Sequence, residues 1–357
     1  MRIVITRREA PPRWFEISIR FVSILIALLV MAVAFWAYGV NPLVAYKKLL
    51  WDSFTTKHGF SETVVTMIPL LLSGIGLSIA FKAQFWNIGA EGQLLLGAIA
   101  ATGVALRFPD TPAYLMIPLM FFVGFLAGAA WGLIPAFLRA RLQVNEVIST
   151  LMMNYIADRL LLYLVSGPWS VAEVIGQVAY AGFYQTNLLP EHLWLPVLGG
   201  TRIHWPTLLI AFVSLIGAYL IMTKTPLGYE IVVVGENPEA AKFAGIKYLK
   251  VALLTMVISG GLAGIAGVGE VAGIHHRLRS GFSAGYGYTA IIVAWLGGLN
   301  PVLILISSLL FGGLLRGGYL LRTMGIRIGI VNMFNGIILF FILISEFFVR
   351  YRIRIRR

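Results

Sequence analysis

Runs of about 20 consecutive apolar residues recur along the whole of this 357-residue chain. A run of that length is what an α-helix needs to cross ~30 Å of hydrocarbon, and only helices or closed barrels satisfy their backbone groups there. Barrel strands would alternate apolar and polar residues, and these runs do not. Only 12% of the residues are charged, against about 25% in a soluble domain. The chain therefore reads as an all-α polytopic membrane protein. Ten segments reach or approach spanning length, at roughly 20–40, 62–80, 88–106, 113–137, 146–166, 207–223, 249–271, 285–299, 301–320 and 327–349.

Lysine and arginine set the orientation. With the N-terminus inside, the inner segments hold 17 of them and the outer loops 9. The expected organisation is a basic cytoplasmic N-terminus (1–19), a transmembrane domain (20–349) and a basic cytoplasmic tail (350–357). Both termini are then inside. Arg2, Arg7, Arg8, Arg13 and Arg20 before an apolar run resemble a signal peptide, but the run is long enough to span and reads as an uncleaved first helix. The net charge of +13 is dispersed around apolar spans rather than gathered on a soluble face, which argues against nucleic acid as partner. The Arg-rich end at 350–357 reads instead as an anchor on anionic lipid headgroups. The absence of cysteine excludes disulfide and thiol chemistry.

One polar stretch interrupts the apolar pattern, from Lys224 to Lys247. Asn237-Pro238-Glu239 reads as a helix start, with Asn as N-cap, Pro at the first position and Glu in the first turn. Ala240, Ala241, Lys242 and Phe243 continue a short helix that Gly245 can end. Thr225-Pro-Leu-Gly228 and Gly235-Glu236-Asn237-Pro238-Glu239-Ala240-Ala241, closed by Ala244-Gly245-Ile246, resemble the cytoplasmic coupling loop of ABC-importer permeases for branched-chain amino acids, ribose-type sugars and nucleosides. Asn87-Ile-Gly-Ala-Glu-Gly-Gln93 and the stretch from Ile291 to Pro301 carry the same resemblance, which runs from about residue 60 to 345.

The resemblance implies a type II importer-like bundle of ten helices in two inverted-repeat-like halves. It implies that the 224–247 helix docks on a separate ATPase subunit, which holds ATP and Mg. This chain would bind no cofactor, pair with a second permease chain, identical or homologous, and receive solute from an external binding protein. The setting would be a bacterial or archaeal plasma membrane. Phe85 to Gln93, with a Pro-rich outer insertion at 167–206, points to the nucleoside and simple-sugar branch; branched-chain amino acids are the alternative. No Gly-x-x-x-x-Gly-Lys-Ser/Thr phosphate loop occurs in the chain, so an ATP-driven pump needs its ATPase from another chain.

Polar residues inside apolar segments are the candidates for a solute path. Asn87, Glu91 and Gln93 stand at the start of the third segment, where flanking glycines suggest a broken or close-packed helix start lining a cavity. Glu91 reads equally as an interfacial carboxylate at a helix N-terminus. Thr150, Asn154 and Asp158 form one helical stripe, and Asn332 and Asn335 share a face in the last segment. Interhelical hydrogen bonding is the rival reading for all of these. The glycine rows at 124, 128 and 132 and at 260, 264 and 267 are read as packing faces. Asn87–Gln93 and Ser283–Tyr288 echo one another before apolar runs entering from opposite sides, as an inverted repeat would.

Two other chemistries compete. An ion-coupled transporter would need a membrane carboxylate such as Glu91 or Asp158. An intramembrane serine hydrolase would use Ser283 of Gly281-Phe-Ser-Ala-Gly285, but that pattern needs a strand–turn–helix elbow and no strand is expected there. His275 and His276 lack further ligands nearby, so no metal site is expected.

Overall fold

The computed structural model describes residues 2–7, 12–171, 184–322 and 351–356, with isolated positions between 333 and 349. Its backbone divides into two compact units, Met1–Phe60 with Gly313–Arg357, and Ser61–Gly312.

In the first unit, β1 (Arg2–Arg7) pairs antiparallel with β2 (Tyr351–Arg356), Arg2 opposite Arg356 and Ile5 opposite Ile353. This ribbon adds one short two-stranded sheet to a chain that is mainly helical among the described residues. The period-two alternation of Arg and Ile over 352–356 is a strand signal that reads first as charge. Helix α1 (Arg13–Ala37) follows, starting after Pro12. A short helical stretch begins at Pro42, where Asn41 Oδ1 accepts the Leu43 N–H at 2.9 Å. The Tyr46 hydroxyl donates back to the Leu28 carbonyl of α1.

The second unit is the main bundle. Its elements are α2 (Lys57–Lys82, in this unit from Ser61), α3 (Ala90–Arg107), α4 (Ala113–Leu142), α5 (Glu146–Ser166), α6 (Trp205–Lys224), α7 (Pro226–Glu236), α8 (Pro238–Phe243), α9 (Tyr248–Glu270, continued by a wider π-type turn to His275), α10 (Tyr286–Leu296) and α11 (Pro301–Arg322, in this unit to Gly312). Among the described residues six helices are long and apolar enough to span: α2, α4, α5, α6, α9 and α11. Of the ten expected segments, 88–106 is the helix α3, outside those six, and 20–40 and 285–299 give shorter apolar helices. Most of 327–349 lies outside the described residues.

Glycine brings the centre of this unit together. A Cβ at Gly128 would stand 2.1 Å from the Gly260 carbonyl oxygen, one at Gly264 2.2 Å from that of Gly124, and one at Gly267 2.0 Å from that of Leu94. Helices α4, α9 and α3 thus meet backbone to backbone, the geometry small residues permit where lipid supplies no hydrophobic drive for association. Helix α2 is 94% buried along its apolar window, whereas α5 and α6 are only 22% and 17% buried along theirs. Beyond α9 the loop before α6 folds back: Trp194 stacks on His276 with centroids 4.0 Å apart, and Leu195 N–H donates to the Ala272 carbonyl.

Candidate functional site

The polar stretch after α6 forms two helices where one was expected. Thr225 caps the first, α7: its hydroxyl donates to the Ile221 carbonyl at 2.7 Å and accepts the Gly228 N–H at 3.3 Å, with Pro226 at the first turn. A Cβ at Gly228 would lie 2.2 Å from the Ile221 oxygen, so glycine lets α7 fold back against α6. Ile231 and Val234 are buried, and the end of α7 meets the end of α2, where a Cβ at Gly235 would fall 1.9 Å from the Lys82 oxygen. The run Ile231–Val234 is β-branched and favours strand; packing against the bundle overrides it.

Asn237 then turns the chain and caps α8, its Oδ1 accepting the N–H groups of Glu239 and Ala240, both at 3.0 Å. Glu239 in the first turn and Lys242 in the last complement the helix dipole. Gly245, at φ 78°, ends the helix as expected, and Ile246 N–H returns to the Ala241 carbonyl. Ala241 is buried against the bundle, while Glu236, Asn237, Pro238, Glu239, Ala240 and Gly245 are exposed. Phe243, which sequence reasoning did not single out, is 93% exposed. No sequence signal marks the outward direction of this large apolar side chain. Beside α8 a cleft of ≈ 460 Å³ opens between Gln84, Arg139, Gln143, Val234, Pro238 and Tyr248.

The intramembrane polar residues converge at the start of α3. Asn87 is fully buried; its Nδ2 donates to Gln93 Oε1 and Ser259 Oγ, both at 2.9 Å, and its Oδ1 accepts from Gly89 N–H and Gln93 Nε2. Thr150 Oγ1 accepts the Ile88 N–H at 3.2 Å and donates to the Glu146 carbonyl. Asn154 Oδ1 accepts the Gly92 N–H at 2.8 Å, and its Nδ2 donates to the Ile88 carbonyl and the Tyr288 hydroxyl. The 87–93 turn is therefore held by side chains from α5 and α9. Glu91 Oε2 accepts the Gly287 N–H of α10 at 2.7 Å. Asp158 lies farther along α5, paired with Arg159 at 2.5 Å on an exposed face. Asn332 and Asn335 lie outside the described residues.

A second polar cluster sits at the other end of the unit, unannounced by any motif. Glu62 pairs with Arg202 at 3.2 Å, Glu270 stands 3.7 Å from His275, and His204 and Thr207 are fully buried. Ser283 lies in a turn, where its Oγ accepts the Gly285 N–H; His276 is stacked on Trp194 and His275 faces Glu270, so the hydrolase pattern has no elbow. Among the described residues no group of three or more His, Asp or Glu side chains is placed to hold a metal ion.

A glycine-welded bundle of apolar helices, with the exposed helix α8 at one end, has the build of a multi-pass membrane protein. Residues 59–344 match the family described as branched-chain amino acid transport system / permease component. The chain belongs to that family, and is a permease subunit of an ABC transporter. It is 36% identical to the glucose ABC transporter permease protein TsgB13 of Haloferax volcanii, over 98% of this chain and 92% of that one. It is 34% identical to the nucleoside ABC transporter permease protein NupB of Lactococcus lactis, over 92% and 91%. It is 31% identical to the guanosine ABC transporter permease protein NupP of Bacillus subtilis, over 95% and 96%.

Proposed function

We propose that this chain forms half of the pore of an ATP-driven importer for a nucleoside or simple sugar. An external binding protein delivers the solute, partner subunits hydrolyse ATP with their bound Mg, and a second permease chain completes the path. Both termini and the α7–α8 pair face the cytoplasm of a bacterial or archaeal cell. The observation that carries the reading is α8: its cap and Ala241 fix it to the bundle while Phe243 and the polar face stand outward. The solute class is supported by the relatives, named for glucose, nucleosides and guanosine; branched-chain amino acids remain the alternative.

The path is proposed along the open face of α5. Asp158 and Arg159 lie mid-helix and exposed, and a charged pair at that depth faces water or protein rather than lipid. Tyr288, 41% exposed, continues that face from α10. Partner ATPases closing on α8 would tilt the bundle between outward-open and inward-open states.

The test is co-purification from native membranes of wild type and Glu239→Arg. An ATPase subunit recovered with wild type and depleted from the folded variant supports the reading. A folded wild type that brings down no ATPase in mild detergent sinks it, and uptake would then be expected to follow an ion gradient with ATP removed.

A further inference from the structure

The two ends of the chain pair in a ribbon whose charge works against it. Strands β1 and β2 contain Arg2, Arg7, Arg352, Arg354 and Arg356 and no acidic residue. Arg2 stands directly opposite Arg356, Val4 opposite Arg354 and Thr6 opposite Arg352. Partners across a ladder and alternate residues along a strand share a face. By register, then, Arg2, Arg352, Arg354 and Arg356 fall on one face, and Ile3, Ile5, Ile353 and Ile355 on the other. Like charges directly opposite one another are destabilising. A two-stranded ribbon in water is marginal at best without a third strand or a packed face, and among the described residues this sheet has two strands. No hairpin turn closes it, since its strands lie at opposite ends of the sequence.

Connectivity puts this ribbon at a membrane surface. Helix α1 starts at Arg13, shortly after β1, and runs through apolar sequence to Ala37. The apolar sequence of 327–349 ends just before Tyr351. Each strand is thus tethered within a few residues of an apolar segment. Trp14 and Tyr351 are both exposed, and Tyr351 stacks on Phe347 with centroids 5.2 Å apart. Trp and Tyr flanking apolar segments mark headgroup depth. Basic sequence beside such a segment is drawn to anionic headgroups, and an element with one apolar and one basic face suits the interface plane.

We infer that the β1–β2 ribbon is a site for anionic phospholipid: net-negative headgroups supply the countercharge that lets Arg2, Arg352, Arg354 and Arg356 share a face, so the two ends of the chain pair fully only on a negatively charged bilayer. On a zwitterionic bilayer the arginines repel one another and the ribbon opens. The site goes beyond the importer reading and depends neither on the solute nor on an ATPase.

The chain has no cysteine, so Ile5→Cys with Ile353→Cys, opposite one another in register, gives a single pair for a short bis-maleimide cross-linker. The full chain carrying this pair is reconstituted in liposomes of phosphatidylcholine alone or mixed with phosphatidylglycerol. Linked terminal peptides are counted by mass spectrometry, against single-maleimide labelling of each cysteine. The expected result is cross-linking about tenfold faster with phosphatidylglycerol. Adding Arg352→Gln, Arg354→Gln and Arg356→Gln to the pair should make the rates in the two lipids equal. Equal rates for the pair with its arginines intact overturn the assignment and leave an acidic protein surface as the partner. A lipid difference that survives the three Gln substitutions overturns it as well, as does absence of the cross-link in both lipids. Both leaflets of these liposomes have one composition, so the outcome does not depend on which side the termini face. ATPase co-purification reports separately on the importer reading, so failure of one does not pass for failure of the other.

Discussion

Gly235 is one of the places where the α7–α8 pair touches the membrane-spanning bundle, and Gly235→Ala tests whether that touch transmits force. The added Cβ would stand 1.9 Å from the Lys82 oxygen and 3.1 Å from its carbonyl carbon, backbone against backbone, with no flexible side chain to yield. Relief requires a movement of roughly 1 Å or more, enough to forfeit a quarter to half of each contact made across that seam. Overpacking of this kind costs about 1–3 kcal/mol. The Lys82 side is held firmly, because Ala83 and Phe85 are buried at 4% and 1% exposure, while α8 is exposed along most of its length. The pair should therefore swing outward rather than the bundle open. The melting temperature should stay near wild type, and ATP-driven uptake and ATPase retention should both fall about tenfold, the equivalent of ~1.4 kcal/mol of docking energy. Gly217→Ala is the matched control, since a Cβ there meets nothing within 4 Å and removing a helical glycine is stabilising by up to ~1 kcal/mol. Wild-type coupling in a folded Gly235→Ala protein would refute the idea that this contact carries the motion.

Three further predictions rest on separate features. Phe243→Ala should leave the bundle folded and strip the ATPase from the complex, with a loss of about 2 kcal/mol or more, as for buried aromatic anchors; unchanged co-purification would remove Phe243 from the interface. Asn87→Ala should lower thermal stability by about 1–3 kcal/mol, because Gln93 and Ser259 lose a buried partner; an unchanged melting curve would mean the turn is held without it. His204 is fully buried, and burial, then the nearby charge of Arg202, push its imidazole down to about 4. Its stabilisation is complete above the unfolded value near 6.5 and is lost as pH falls from there through about 4, by about 3 kcal/mol. His204→Phe should flatten that part of the stability–pH curve, measured by thermal unfolding, and a curve identical to wild type would refute the assignment.

Much of the scaffold was legible because it follows from local chemistry. The apolar runs specified helices, the Asn237-Pro238-Glu239 start and the Gly245 stop gave α8 its ends, and the glycine rows marked packing faces, though not that those of α4 and α9 meet. Helix α7 was missed because Val232, Val233 and Val234 carry strand preference and only burial makes them helical. The Glu91–Gly287 bond joins residues 196 positions apart, and no local pattern announces a partner at that distance. Thr150 and Asn154 were correctly placed on one stripe, but that the stripe grips the 87–93 turn depends on how α5 packs against α3. The exposure of Phe243 is likewise a direction in space that helix spacing alone does not fix.

The glycine seam has a dynamic consequence. Side chains that interdigitate can change rotamer and let two helices slide, but the contacts of Gly128 with Gly260 and of Gly264 with Gly124 contain no side chain to change. Helices α4 and α9 therefore behave as a single girder, and α9 follows directly from the α8 turn that a partner would push. Any rearrangement that opens a path must then bend outside this seam, with α4 and α9 moving as one piece.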